Sequence, residues 1–186
     1  MSSNSLHTKV RYMLLQVRNE RDAMREHEVR CFCRGLRCRR EQIRVFDLLS
    51  GVPSKATLDT VDVVLLGGAG EYSVAEGGDW LPAALDAMRE LDAFRKPTFA
   101  SCWGFQAMAR ALGGEVVTDR QRAEVGTLQV VLTAEGRRDP IFGPVKNPFW
   151  AQMGHEDIVV RLPREAVLLA RTERVENQAF CIAGKP

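Results

Sequence analysis

The sequence predicts a doubly wound α/β domain with a mostly parallel sheet and a short antiparallel extension. In the first half of the chain, short apolar runs alternate with stretches whose apolar residues recur at helical spacing. After residue 114, closely spaced short strands replace this pattern, which indicates antiparallel pairing. The 186 residues contain no repeat or long linker, so we expect a single domain over residues 1–186.

The predicted parallel strands are residues 12–17, 43–49, 61–66 and 97–100. A charged helix over residues 20–36 follows the first strand, and a helix with an apolar stripe from Trp80 to Leu91 follows the third. The later strands are residues 128–132, 149–153, 158–162, 167–170 and 179–182. Doubly wound, flavodoxin-like sheets bind ligands at the carboxyl ends of their parallel strands, so we expect the functional residues there.

Composition gives ordinary globular values, with 45% hydrophobic and 27% charged residues and a net charge of +2. No apolar run approaches the roughly 20 residues that span a membrane, and residues 1–9 lack the apolar core of a signal peptide. The basic residues around Arg37 are interpreted as a solvated helix end, without the interleaved aromatics of a single-strand nucleic-acid surface. We expect a cytoplasmic protein with no membrane or nucleic-acid partner.

Five cysteines are present, an odd number, which favours free thiols in a reducing compartment. The spacing of Cys31, Cys33 and Cys38 fits no common zinc pattern, and no histidine partner lies nearby. We therefore expect no metal site and no cofactor.

Residues 100–106, ASCWGFQ, have the pattern of a nucleophile elbow in which cysteine replaces serine. A sharp turn from strand to helix requires small residues two positions before and after the nucleophile, here Ala100 and Gly104. Such a turn exposes the sulfur of Cys102 at a helix N-terminus, where the helix dipole favours the thiolate. The backbone N–H of Trp103 would face a developing oxyanion. The alternative is a buried structural cysteine at a strand end.

Glycines follow the third predicted strand at residues 67–70. This segment can donate a second N–H to the same oxyanion, and it can equally be a tight turn or a phosphate loop. As a phosphate loop it lacks both G-x-G-x-x-G and a Walker lysine.

A thiol nucleophile usually needs a base, and the chain has only His7, His27 and His155. His7 lies in the polar start and His27 in the charged helix, so the residues alone favour His155, with Glu156 or Asp157 to orient it.

These motifs together resemble the class I, triad-type glutamine amidotransferases, particularly the amidotransferase half of GMP synthase. Residues 66–70 (LGGAG) resemble the family's oxyanion loop, and residues 102–106 (CWGFQ) match its C-x-G-x-Q elbow. Residues 124–126 (EVG) match a recurrent E-x-G, and residues 153–157 (MGHED) resemble M-S-H-G-D. The resemblance extends over nearly the whole chain, from Tyr12 to Pro186.

The resemblance implies that Cys102 attacks the carboxamide of L-glutamine, releases ammonia and forms a glutamyl thioester. Gly68 and Trp103 would be the oxyanion donors. Gln106 and the backbone around Gly154 and Asp157 would hold the substrate. The ammonia would pass to an acceptor, which implies a synthetase or another acceptor enzyme as partner.

Two departures from the family matter. Its base and orienting carboxylate come from a Q-F-H-P-E segment that the resemblance places beyond Pro186, so we expect a truncated domain with little glutaminase activity. His155 aligns instead with a position that shapes the site, where its ring would brace the backbone. Glu156 also stands where the family usually has glycine. The alternatives are a γ-glutamyl hydrolase on the same scaffold and a catalytically silent binding or regulatory domain.

Overall fold

The computed structural model describes residues 10–186, which form two compact units. The first unit contains residues 10–72 and 78–104, and the second contains residues 73–77 and 105–186. His7 lies outside the described residues. The single-domain assignment stays a prediction.

The first unit is built on a parallel sheet, as the sequence predicts. Its strands are β1 (Tyr12–Val17), β2 (Ile43–Asp47), β3 (Val63–Ala69) and β4 (Thr98–Ala100), in the order β2-β1-β3-β4. All six residues of β1 are buried, which is typical of a central strand in a parallel sheet covered on both faces. Strand β2 lies on one side of β1, and β3 and β4 lie on the other. Doubly wound sheets bind ligands where the strand order reverses, and this switch point falls between β1 and β3.

Three α-helices belong entirely to the described part of this unit: α1 (Met24–Leu36), α2 (Lys55–Leu58) and α3 (Leu81–Ala93), and a short 3-10 helix spans Arg40–Gln42. The apolar stripe of α3 is buried as predicted. Helix α1 begins four residues later than predicted, because the Asp22 carboxylate accepts the Met24 N–H at 2.7 Å and forms a local turn. The short helix α2, with Ser54 at its N-cap, was not predicted. No helix among residues 10–186 has the length and apolarity to cross a membrane.

Helix α4 (Trp103–Ala111) begins in the first unit and continues into the second. The strands of the second unit are β5 (Glu115–Thr118), β6 (Glu124–Leu132), β7 (Phe149–His155), β8 (Asp157–Arg161), β9 (Ala166–Arg171) and β10 (Ala179–Ile182). They pair antiparallel in two sheets, β10-β9-β6-β7 and β5-β8, which confirms the predicted extension. Strand β5 was not predicted, and β6 begins earlier than expected.

Candidate active site

Cys102 occupies a sharp turn between β4 and α4, as the sequence predicts. Its φ is 53°, a left-handed conformation that costs energy in a residue other than glycine and is concentrated at functional sites. Its side chain is exposed. The turn is held by the Ser101 N–H, which donates to the Leu66 carbonyl at 2.9 Å, and by the Gly104 N–H, which donates to the Ser101 carbonyl at 3.0 Å.

Gly104 is required by the close approach of this turn to β3. A Cβ at position 104 would lie 2.3 Å from the Cβ of Leu66 and 3.1 Å from its backbone carbonyl. Ala100 pairs with the same leucine. The prediction that small residues flank the nucleophile by two positions therefore has a direct steric reason.

The glycine segment lies beside Cys102. A Cβ at Gly68 would be 3.7 Å from both Cβ and Sγ of Cys102, which is ordinary van der Waals contact. This proximity confirms the expected approach of the segment to the sulfur. The segment is the carboxyl end of β3 rather than a free loop, since β3 runs through Ala69.

The N–H of Gly68 already has a hydrogen-bond acceptor. It donates to Glu28 Oε1 at 2.8 Å, and Glu28 is 8% exposed. The other oxygen, Oε2, accepts Gln16 Nε2 at 2.8 Å and Arg18 Nε at 3.2 Å. Sequence reasoning missed Glu28, because it stands among several charged residues of α1 and nothing in the pattern distinguishes the buried one.

Arg18 extends this buried network at the carboxyl end of β1. Its Nη1 donates to Asp22 Oδ2 at 3.0 Å, and a Cβ at Gly68 would lie 3.5 Å from its Nη2. Burial acts to lower the pKa of Arg18, but hydrogen bonds to Glu28 and Asp22 outweigh it and hold this pKa above its ordinary value. The sequence signal that could have identified Arg18 is its position as a charged residue directly after a buried strand.

The side chain of Trp103 is buried. The role predicted for this residue, as an oxyanion donor, belongs to its backbone N–H. Its ring centroid lies 5.6 Å from that of Trp80, which in turn makes an edge contact with Tyr72 at 5.3 Å. The indole Nε1 has no hydrogen-bond partner among residues 10–186.

The second unit brings Gln106 and Asp157 together. Gln106 is buried, and its Nε2 donates to the Asp157 carbonyl at 2.7 Å. Gly154 is an exposed residue of β7 opposite Val125, and a Cβ there would meet no described atom within 4 Å.

The Asp157 carboxylate is surrounded by hydrogen-bond donors. Oδ1 accepts the Thr118 hydroxyl at 2.6 Å, and Oδ2 accepts the Ser73 hydroxyl at 2.7 Å and the N–H groups of Val74 and Ala75 at 3.0 and 3.2 Å. Burial alone would raise the pKa of Asp157, but these bonds hold it below its ordinary value of 3.8. Within the second unit, the carboxylate therefore fixes the backbone at Val74 and Ala75.

Asp157 gives a prediction on pH dependence. Because its folded-state pKa is lowered, its ionised carboxylate stabilises the fold above the unfolded-state pKa, and this contribution is lost as the pH falls through the folded value. Urea unfolding from pH 7 to about pH 3 should show Asp157→Asn less stable than the natural chain at neutral pH, with the difference shrinking below about pH 4. A difference constant over this range would contradict the assignment.

Both nitrogens of His155 face groups within the second unit. Nδ1 lies 3.1 Å from the Asp157 carbonyl, which is the bracing contact predicted from the sequence. Nε2 lies 3.2 Å from Oε2 of the buried Glu124, with an orientation outside that of a hydrogen bond. The exclusion of His155 as base remains a prediction. His27 is exposed on α1.

Comparison with known proteins adds to this geometry. The family described as glutamine amidotransferase class-I matches residues 29–186. Gamma-glutamyl peptidase 3 of Arabidopsis thaliana is 26% identical over 159 residues, which is 78% of this chain and 63% of that protein. The glutamine-hydrolyzing GMP synthase of Thermotoga petrophila is 36% identical over 109 residues, which is 59% of this chain and 19% of that protein. The chain thus spans less than two thirds of either relative.

Two solved structures share the fold. A glutamine amidotransferase from Thermotoga maritima has a TM-score of 0.72 at 22% identity, over 92% of this chain and 71% of that chain. A glutamine amido transferase from Methylobacillus flagellatus has a TM-score of 0.69 at 20% identity, over 94% and 65%.

Proposed function

This chain belongs to the class I glutamine amidotransferase family, and from this membership we propose that it hydrolyses the carboxamide of L-glutamine through a thioester on Cys102. The observation that carries the proposal is the exposed Cys102 at a positive φ of 53°, placed so that a Cβ at Gly68 would lie 3.7 Å from its sulfur. A sulfur at a helix N-terminus is favoured as the thiolate, which is the nucleophilic form.

The chemistry follows from this position. The thiolate attacks the amide carbon, an Sγ–C bond forms, and the carbonyl electrons move to oxygen as an oxyanion. Collapse of this intermediate re-forms the C=O bond and breaks the C–N bond. The nitrogen leaves as ammonia with a proton taken from water, which replaces the proton that the thiol gave to water on ionising. Water then attacks the thioester, which yields glutamate and restores the thiol. The N–H groups of Gly68 and Trp103 are the proposed oxyanion donors.

Gln106, Gly154 and Asp157 are the proposed substrate-binding residues. Asp157 would act through its backbone, because its carboxylate already accepts four hydrogen bonds. The short bond from Gln106 to the Asp157 carbonyl fixes that backbone. We assign no metal or cofactor to this reaction.

The ammonia would pass to an acceptor enzyme of the synthetase type, acting as a partner in the cytoplasm. The supporting observation is the similarity to GMP synthases over 59% of this chain. We propose only the class of the acceptor enzyme, because the partner determines which molecule receives the ammonia.

A second candidate is γ-glutamyl hydrolysis, in which the leaving group is an amino acid or peptide rather than ammonia. It is supported by the relatives named gamma-glutamyl peptidase 3 and 4, which each match 78% of this chain. The Cys102 thioester would be the same in both reactions. A silent binding domain is the third candidate, and it predicts no acylation of Cys102.

A single-turnover comparison distinguishes these functions. The protein is mixed with L-glutamine or with γ-glutamylglycine at equal concentration, quenched in acid, and the glutamyl adduct on Cys102 is quantified by mass spectrometry. We expect faster adduct formation from glutamine. Faster formation from the dipeptide would establish the γ-glutamyl hydrolase, and the absence of any adduct from an activated γ-glutamyl ester as well would establish the silent domain.

A further inference from the structure

The Gly68 N–H donates to a buried carboxylate and not to an open site. Its acceptor, Glu28 Oε1, lies 2.8 Å away. A hydrogen bond to an ionised acceptor is roughly twice as strong as one between neutral groups, and burial in a low-dielectric environment strengthens it further. The donor assigned to the oxyanion is therefore held by another anion.

Among residues 10–186, four donor groups hydrogen-bond to the Glu28 carboxylate. Besides Gly68, these are Gln16 Nε2 at 2.8 Å and Arg18, whose Nε and Nη2 lie at 3.2 and 3.4 Å. The carboxylate also packs closely against Gly67, because a Cβ at position 67 would lie 2.2 Å from Oε1. Glu28 is thus fixed in place and keeps Arg18 and Gln16 as partners when it releases Gly68.

The place where an oxyanion would form lies close to the Gly68 backbone. A Cβ at Gly68 would be 3.7 Å from Cys102 Sγ, so a carbonyl carbon bonded to that sulfur carries its oxygen near the Gly68 backbone. One N–H has one proton, so the Glu28 carboxylate and the oxyanion are alternative acceptors.

We propose that Glu28 is a positioning residue that competes with the substrate oxyanion for the Gly68 N–H, and so limits the rate at which Cys102 is acylated. The inference rests on the proposed function. Glu28 acts through the backbone of β3 and does not touch the reacting atoms. Weakening Glu28 as an acceptor should speed reactions that build an oxyanion at Cys102 and leave unchanged those that build none.

The test compares two reactions of the same thiol. In the first, Sγ attacks a γ-glutamyl 4-nitrophenyl ester, an oxyanion forms, the C–O bond breaks and 4-nitrophenolate leaves with the electron pair. In the second, Sγ displaces iodide from iodoacetamide, with no oxyanion. The ratio of the two rate constants isolates the oxyanion donor, because changes in thiol ionisation or access affect both reactions.

The variants are Glu28→Gln and, as a matched control, Asp22→Asn. Gln presents one acceptor oxygen to the four donors of Glu28, so the bond to Gly68 weakens. Asp22 accepts a hydrogen bond from the same Arg18, at 3.0 Å, whereas the Gly68 N–H donates to Glu28 and not to Asp22. We expect the ratio to rise about tenfold in Glu28→Gln, the difference between a charged and a neutral acceptor, and to change less than about twofold in Asp22→Asn.

An unchanged or lower ratio in Glu28→Gln, with acylation still mapped to Cys102, would overturn the proposal and leave the proposed function intact. Acylation that persists in Cys102→Ala would instead overturn the function. If Glu28→Gln does not fold, NMR on the natural chain decides. The through-bond coupling from the Gly68 amide nitrogen to the Glu28 carboxyl carbon should be present at rest and lost when a glutamine-mimicking aldehyde forms a thiohemiacetal with Cys102, and its survival would contradict the proposal.

Discussion

Replacing Cys102 with alanine is expected to lower the acylation of the protein by a γ-glutamyl 4-nitrophenyl ester at least about a thousandfold, since no other group takes over the role of a lost nucleophile. The measurement is the pre-steady-state burst of 4-nitrophenolate. This ester needs no proton on its leaving group, so the burst reports on the nucleophile and the oxyanion donors without depending on an acid that protonates ammonia.

The matched control is His155→Ala. Because both ring nitrogens of His155 face groups of the second unit, Asp157 and Glu124, we expect the burst to persist within about threefold. A burst that disappears in His155→Ala while the fold is retained would show that His155 is the base. This result would contradict the resemblance to the family, which implies a base from another segment.

Gly104→Ala is expected to lower the free energy of unfolding by about 3 kcal/mol or to prevent folding, since the added Cβ would overlap the Leu66 side chain and crowd its backbone. The measurement is chemical denaturation monitored by circular dichroism. In an ordinary helix, by contrast, replacing glycine with alanine usually stabilises the protein by about 1 kcal/mol.

Gly35→Ala is the control for this substitution. Gly35 also lies in a helix, α1, and a Cβ there would meet no described atom within 4 Å. We expect equal or higher stability from Gly35→Ala. Equal effects at both positions would show that the turn after Cys102 is not closely packed against β3.

The nucleophile turn could be predicted from sequence because its requirement is local. A residue at positive φ between a strand and a helix forces small neighbours, and Ala100 and Gly104 carry that signal. Apolar runs likewise identified the buried strand β1 and the stripe of α3, since burial on a regular element leaves a periodic trace.

The Glu28 network could not be predicted, because its burial depends on contacts between distant parts of the chain. Glu28 and Gly68 are 40 residues apart, and Arg18 neutralises a carboxylate that would otherwise be costly to bury. In the sequence, Glu28 is one charged residue among many in α1. Strand β5 was missed for a similar reason, since four residues gain their stability from pairing with β8.

The proposed role of Cys102 as the nucleophile is tested most directly by labelling with a glutamine-mimicking diazo-ketone. The protein is labelled to less than one equivalent, digested, and the adduct is mapped by mass spectrometry, with L-glutamine as a protecting competitor. We predict that the label is on Cys102, because its exposed position at a helix N-terminus favours the thiolate, and that glutamine slows the reaction. Preferential labelling of Cys31, Cys33, Cys38 or Cys181, or labelling of Cys102 that glutamine does not slow, would contradict it.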